Sequence, residues 1–199
     1  MEKQLIISIG REYGSGGHEI AEKLSKKFNI NFYDRNILEE IATHKNADVN
    51  ELHKYDELPK KKFISRNVRG YSNSPEENIA NMQFEYIRKK AESGESFVIV
   101  GRCAESVLRE YKGLISIFIN ADRDFRIERV MEINDLSNSE AIKKMDRHNK
   151  TRKAYHNHYA IGEWSDSKTY DITINSSKLG IDGTIDTLEH YIRQRIEEN

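Results

Sequence analysis

Five short apolar runs, separated by helical patterns and polar segments, constrain the fold of this chain more than any other feature. The runs are "LIISI" from Leu5, "INFYD" from Ile30, "FVIVG" from Phe97, "LISIFI" from Leu114 and "YDITIN" from Tyr170. Three of them are almost continuously apolar and rich in Ile and Val, as is typical of strands that are covered on both faces. Between the runs, apolar residues recur at helical spacing, as at Ile20, Leu24 and Phe28. The pattern predicts an α/β fold in which a parallel sheet carries helices on both sides.

The length and composition of the chain are those of one globular domain. It has 199 residues, of which 37% are hydrophobic and 33% charged. The formal net charge of −1 argues against general nucleic-acid binding, because contacts with a phosphate backbone need an excess of basic residues. The apolar residues 5–9 are too few for a signal peptide or a membrane span, and Cys103, the one cysteine, cannot form an internal disulfide. We therefore expect a reduced cytoplasmic protein that binds neither nucleic acid nor membranes, with Cys103 as a small packed residue.

Two segments interrupt the alternation of strands and helices. Residues 52–81 hold both prolines and the run "KKK" but few apolar residues, and residues 123–164 are helical in places and dense in charge. Neither segment has the composition of a core. We interpret both as excursions from the edge of the sheet, where α/β proteins bind their ligands.

The stretch "GREYGSGGHE" from Gly10 lies between the first predicted strand and the first predicted helix. In that position glycines let backbone N–H groups turn toward an anion, and the helix N-terminus adds partial positive charge. Against the pattern G-x-x-x-x-G-K-[ST], with Gly16 as the second glycine, the lysine falls on Gly17 and the hydroxyl residue on His18. The stretch is either a phosphate-binding loop without its lysine or a turn without a ligand, and its context favours the first. The predicted phosphate-binding residues are Arg11, Tyr13, Gly14, Ser15, Gly16, Gly17 and His18.

Four blocks occur along the chain in the order "ISIGREYGSGGHEIAEKL", "FYDRNIL", "VIVGRCAESVL" and "GEWSDSKTYDITINSSKLGI". Together they resemble the cytidylate-kinase-like family of P-loop proteins, from about Leu5 to about Ile192. The resemblance implies a nucleoside-monophosphate-kinase fold, a three-layer sandwich with a five-stranded parallel sheet. It further implies a nucleoside-monophosphate-binding insert at about residues 45–82 and a helical lid at about residues 122–164. The lysine-free loop resembles the form that this family has.

The resemblance also implies an activity, the transfer of the γ-phosphoryl group of ATP to CMP or dCMP with Mg²⁺ bound through the ATP phosphates. Two alternatives stay open because the lysine is absent and a carboxylate is missing near the acceptor site. The chain is then a kinase for another small acceptor, or a nucleotide-binding sensor without catalysis. If it is active, Arg11 is one residue that could replace the charge of the lysine.

Arg102, Asp34 and Arg35 are the predicted acceptor-binding residues. Each lies at the end of a predicted strand or directly after one, at the sheet edge where α/β proteins bind ligands. In cytidylate kinases a Gly-Arg-Asp at the position of Gly101 to Cys103 holds the phosphate and sugar of the acceptor, and here the arginine is kept and the carboxylate is lost. The structural alternatives are that Arg102 pairs with a surface acid and that Asp34 caps the following helix.

Arg126, Arg129 and Arg152 are the predicted catalytic residues in the charge-rich segment. Arg123, Arg126 and Arg129 recur every three residues on a predicted helix, so they are either lid arginines or one solvated charged face. Arg152 lies in a basic stretch that resembles the Asp-Lys-x-Arg of related proteins, with Asn149 in place of the acid. We expect no protein-held metal, because His156 and His158 in "YHNHY" lack a third ligand.

Overall fold

A computed structural model of the chain describes residues 4–34, 36–45, 48–59, 67–68, 71–72 and 74–198. Five parallel strands form one sheet in the order β2-β5-β1-β6-β7, and β3 and β4 form a separate antiparallel pair. The sheet strands are β1 (Ile6–Arg11), β2 (Asn31–Tyr33), β5 (Phe97–Val100), β6 (Leu114–Asn120) and β7 (Ile172–Asn175). The antiparallel pair is β3 (Asn67–Val68) and β4 (Tyr71–Ser72). The predicted parallel sheet of five strands is confirmed.

The helices cover both faces of this sheet. They are α1 (Gly17–Phe28), α2 (Asn36–Lys45), α3 (Val49–His53), α4 (Pro75–Glu92), α5 (Ala104–Val107), α6 (Arg123–Asn134), α7 (Asn138–Tyr159) and α8 (Ser176–Glu198), the last broken at Gly180. No helix within the described ranges combines the length and the apolar character that crossing a membrane requires.

Alternate residues of β1 face two different cores. Ile7 and Ile9 pack with α1 and α8, whereas Ile6 packs with α2, α4 and α5. This alternation follows from the two-residue period of a strand, and every residue of β1 is buried because both faces are covered. The result is a three-layer sandwich, as expected.

The charge-rich segment before β7 has a small core of its own, contrary to our expectation. Helices α6 and α7 pack on each other through buried Ile127, Val130, Ala141 and Met145. Ile127 and Val130 are three residues apart on α6, and Ala141 and Met145 are four residues apart on α7, so each pair lies on one side of its helix. Charged residues fill most of the positions between them and dominate the local composition. Composition alone therefore hid the packing of this segment.

The strand order places the carboxyl ends of β5, β1 and β6 side by side. Arg11 ends β1, Gly101 and Arg102 follow β5, and Asp34 follows β2 at the same edge. From the central strand β1 the chain first adds β2 and β5 on one side of it, and later β6 and β7 on the other side. Because the strand order changes direction at β1, a crevice opens at its carboxyl end. The glycine-rich loop lies at this crevice.

Candidate active site

Packing requires glycine at three positions of the loop between β1 and α1. Gly14 and Gly16 have φ values of +85° and +78°, in the region that favours glycine. A Cβ on Gly16 would collide with the side chain of Ile181, and one on Gly17 would lie 2.6 Å from the Cβ of Arg11. The backbone is therefore held close to its neighbours, with no side chain between the loop and the crevice at these positions.

Tyr13 and Ser15 maintain the shape of the loop. The Tyr13 N–H donates to Oδ1 of Asn149 on α7 at 2.7 Å, and the hydroxyl of buried Ser15 donates to the Glu12 carbonyl at 2.9 Å. The Ser176 hydroxyl donates to the Ser15 carbonyl at 2.7 Å from the start of α8. The Tyr13 N–H is thus already engaged, and the N–H groups at the start of α1 are the ones that lack an acceptor inside the helix.

Two adjoining cavities lie at this edge of the sheet. The first, which we call the loop-side cavity, has a volume of about 680 Å³ and is lined by the glycine-rich loop, Asp34, Arg102 and Arg129 among others. The second, the insert-side cavity, has a volume of about 590 Å³ and lies between the ends of α2 and α3 and the middle of α7. Glu57, His148 and Arg152 line both cavities. Each volume falls in the range of small-molecule sites.

Three arginines converge on two carboxylates where the cavities meet. Oε1 of Glu57 lies 2.6 Å from Nη1 of Arg102 and 3.3 Å from Nη1 of Arg11, and Oε2 lies 3.9 Å from Nε of Arg152. Arg102 also donates through Nη2 to Oδ2 of Asp56 at 2.9 Å. The side chain of Arg102 is only 1% exposed. Arg102 therefore pairs with acids, as one alternative held, but these acids are partly buried, with side chains 10% and 19% exposed, and lie at the crevice.

The electrostatics of this cluster favour anions. Burial alone would raise the pKa of Glu57, but Arg11, Arg102 and Arg152 hold it well below its usual range. Burial and the neighbouring Arg11 guanidinium lower the pKa of Arg152 to about 9. Arg152, with 17% of its side chain exposed, is thus a partly desolvated cation beside another cation, so an added anion would be stabilised there.

Asp34 pairs with the first turn of α1 rather than capping α2. Its Oδ2 lies 2.9 Å from Nδ1 of His18, and helix α2 begins two residues later, at Asn36. The Asp34 N–H donates to Oδ1 of Asn36 at 2.7 Å, which fixes the turn after β2. Arg35, the other residue predicted for this place, lies outside the described residues.

The arginines of α6 point in different directions. Arg129 lines the loop-side cavity and bonds through Nη2 to Oε2 of Glu19 at 3.0 Å. Arg126 donates to the Ala121 carbonyl at 3.0 Å and lies 3.4 Å from Oε2 of Glu12. A spacing of three residues turns each side chain by about 300°. The described cavities therefore receive Arg129 from α6 and Arg152 from α7, and neither is lined by Arg126.

Sequence reasoning missed Asp56, Glu57 and the role of Asn149. Asp56 and Glu57 sit in "YDELP", which matches no motif, and their partners Arg11 and Arg102 are 46 residues away along the chain. Glu57 has a φ of +51°, uncommon for a residue other than glycine, and such positions cluster at functional sites. Only the folded backbone could reveal that signal.

Cys103 and His156 lie behind the site, where their contacts hold elements of the fold together. Cys103 is 2% exposed and immediately precedes α5. Nε2 of His156 lies 2.9 Å from Oε1 of buried Glu105 and 3.3 Å from the hydroxyl of Tyr170. These contacts tie α7 to α5 and to the approach to β7.

The sequence matches the profile of the Cytidylate kinase-like family over residues 6–178. It is 29% identical over 197 residues to a protein named cytidylate kinase from Methanococcus aeolicus, covering 96% of this chain and 99% of that relative. Among solved structures, an uncharacterized protein from Eubacterium ventriosum is 39% identical with a TM-score of 0.76, covering 96% of this chain and 99% of the other. Shikimate kinase from Bacteroides thetaiotaomicron has a TM-score of 0.57 at 14% identity, covering 95% and 98%, which is a likeness of fold alone.

Proposed function

The chain belongs to the cytidylate kinase-like family, and on that premise we propose that it is an ATP-dependent nucleoside monophosphate kinase whose acceptor is CMP or dCMP. The observation that carries the proposal is the pair of adjoining cavities that share Arg152 and Glu57. A phosphotransferase must hold two phosphorylated molecules end to end, and the convergence of three arginines lies where their phosphates would meet.

The loop-side cavity is the proposed site of ATP. Backbone N–H groups at the start of α1, from Gly17 and His18, would hold the donor phosphates together with the partial positive charge of the helix. Mg²⁺ would enter with ATP as part of the substrate. At the position of the usual hydroxyl ligand the loop presents His18, whose Nδ1 is engaged by Asp34, so Mg²⁺ would be coordinated by phosphate oxygens and water.

The insert-side cavity is the proposed site of the acceptor. Its phosphate would point toward the shared Glu57, where Arg102 and Arg11 reach from the loop-side cavity and would bind it in exchange for part of their contact with Glu57. We propose that the segment around residues 45–82, which carries Glu57, acts as the acceptor-binding insert.

The segment around residues 122–164 would act as the lid. An oxygen of the acceptor phosphate attacks the γ-phosphorus of ATP, the bond from that phosphorus to the β,γ-bridging oxygen breaks, and ADP leaves. Arg129 and Arg152, which line the cavities from α6 and α7, would neutralise the charge of the transferred group while the lid excludes water. This role follows from their position rather than from any covalent step.

A second acceptor class is favoured by the surroundings of Cys103. This residue stands where the family pattern has a carboxylate for the sugar, and its side chain is buried. Another small phosphorylated acceptor would not need that carboxylate.

The test is ADP release from the purified protein with ATP and Mg²⁺, across CMP, dCMP, UMP, AMP, GMP and a blank without acceptor. Faster release with CMP or dCMP alone supports the proposal. Release that depends on a different acceptor contradicts the assignment of CMP but keeps a kinase. Tight ATP binding without acceptor-dependent release would identify a sensor, and absence of ATP binding would overturn the assignment of the loop.

A further inference from the structure

We propose that His18, held by Asp34 in its protonated form, supplies to the donor phosphates the positive charge that this loop lacks at the lysine position. The inference rests on the proposed function, because it assigns a residue to the donor side of the same site. In this proposal Asp34 orients His18 toward ATP, instead of binding the acceptor as predicted from the sequence.

Residue 17 cannot supply the missing charge. A side chain at Gly17 would have its Cβ 2.6 Å from the Cβ of Arg11, so the packing of β1 against α1 excludes a lysine there. Arg11, the substitute that the sequence suggests, lines the loop-side cavity, but its charge is already engaged. Its Nη1 pairs with Glu57 at 3.3 Å and lies close beside Gly101 at the end of β5.

His18 is placed where a phosphate-directed cation is needed. It is the second residue of α1 and lines the loop-side cavity, with 58% of its side chain exposed. Nδ1 is bound to Asp34 at 2.9 Å and the edge of the ring meets the ring of Phe32. This leaves Nε2, which forms no hydrogen bond within the described part of the chain, to donate to an oxygen of ATP.

Asp34 is suited to orient and charge the ring. Its side chain is 17% exposed, and its N–H is anchored by Asn36. Burial raises the pKa of Asp34, but the bond to His18 and the charges of Arg11 and Arg102 lower it below its usual range against the opposing Glu57. Asp34 is therefore a fixed carboxylate, and a histidine that gives one ring proton to it presents the other outward.

The charged groups that face His18 are Asp34, Arg11 and Glu22. The hydrogen bond to Asp34 raises the pKa of His18, and the charge of Glu22 also raises it, whereas burial and the charge of Arg11 lower it. The net effect is a pKa above the ordinary value of 6.5. The cationic form is therefore more populated near neutral pH than in a free histidine, and it is lost as the pH rises through the raised value. Bound phosphates would extend that range further.

The experiment compares His18→Gln and His18→Arg with His190→Gln, a matched control at an exposed histidine of α8. For each variant, ADP binding without acceptor and kcat/KM for ATP are measured from pH 6 to 9. His18→Gln should lose about 10- to 100-fold in kcat/KM for ATP at pH 7, as for a lost hydrogen bond to a charged group, and lose the alkaline decline of the wild type. His18→Arg should retain activity at pH 9, and His190→Gln should behave as wild type.

A spectroscopic readout separates charge from shape. Titration of the His18 imidazole by NMR, assigned by its absence in His18→Gln, should give a pKa above 6.5 that falls in Asp34→Asn and rises with bound ADP. Wild-type kinetics and pH profile in His18→Gln would overturn the inference while leaving the kinase intact. A wild-type protein that neither binds ADP nor turns over ATP would overturn the proposed function, and the inference with it.

Discussion

Arg102 has two roles that mutation should separate. Its side chain is buried and bonded to Asp56 and Glu57, whose own side chains are 10% and 19% exposed, so removing it leaves two poorly hydrated carboxylates without their main partner. Breaking a buried pair in this way costs about 3–5 kcal/mol. The same group is proposed to bind the acceptor phosphate, so stability and kinetics should both change.

We predict that Arg102→Ala lowers the free energy of unfolding by about 3–5 kcal/mol and raises the KM for the acceptor while lowering kcat. Arg102→Lys keeps the charge but loses the forked geometry, so it should fold and still show the raised KM. Urea denaturation and steady-state kinetics measure the two effects. Arg109→Ala, at an arginine that pairs with Glu110 at the surface, is the control. An unchanged KM in Arg102→Lys would remove Arg102 from the acceptor site.

The ion pairs of Glu57 should make its contribution to the free energy of unfolding depend on pH. Its pKa is lowered on folding, so its contribution is present above the unfolded value near 4.5 and is lost as the pH falls through the folded value. Glu57→Gln should therefore destabilise the protein by a few kcal/mol at pH 7, roughly as for a broken buried pair, and by less at pH 3. Urea denaturation of variant and wild type at both pH values gives the difference. A difference that does not change with pH would contradict the proposed ion pairs.

The loop and α8 depend on each other through Gly16 and Ile181. A methyl group at Gly16 would meet strain from the positive φ and a collision with Ile181. Gly94 has a φ of +81° but nothing within 4 Å of a Cβ, so it has the same strain without the collision. The two positions isolate the steric part of the requirement for glycine.

Gly16→Ala should therefore lower stability by more than the roughly 1–2 kcal/mol expected for Gly94→Ala, and only Gly16→Ala should weaken ADP binding. Thermal unfolding and ADP titration are the measurements. Adding Ile181→Ala should recover part of the stability lost in Gly16→Ala, because it removes the colliding group. Equal losses in the two single variants would show that the contact with α8 does not matter.

The two cavities share Glu57 and Arg152, so filling one should affect the other across the whole molecule. ADP and CMP together should slow amide hydrogen exchange in α3 and α7 by more than the sum of their separate effects, because both helices line the insert-side cavity and α7 also reaches the loop. Hydrogen exchange followed by mass spectrometry tests this. The part of α8 beyond residue 185, which packs on α1 and the sheet and lines neither cavity, serves as the internal reference. Protection equal to the sum of the single-ligand effects would argue against coupling.

The predicted and observed ends of the strands show how far local sequence patterns predict this fold. The run "LIISI" predicts residues 5–9, but β1 extends to Arg11 because Gly10 and Arg11 pair with Phe118 and Ile119 of β6. The run "YDITIN" predicts residues 170–175, but β7 begins at Ile172. Asp171 instead receives a hydrogen bond from the Ser116 N–H. Apolar patterns locate strands well, whereas their ends are set by the neighbouring strand.

The sequence by itself determined the fold class, the family and the position of the glycine-rich loop. These features depend on apolar periodicity and on glycines at local spacing, which neighbouring residues along the chain display directly. Only the tertiary structure decided that Arg11 turns toward Glu57 and that Asp34 binds His18 rather than capping α2. Ion pairs form through space between elements that are distant in sequence, and a charged side chain gives no local signal of which partner the fold will bring to it.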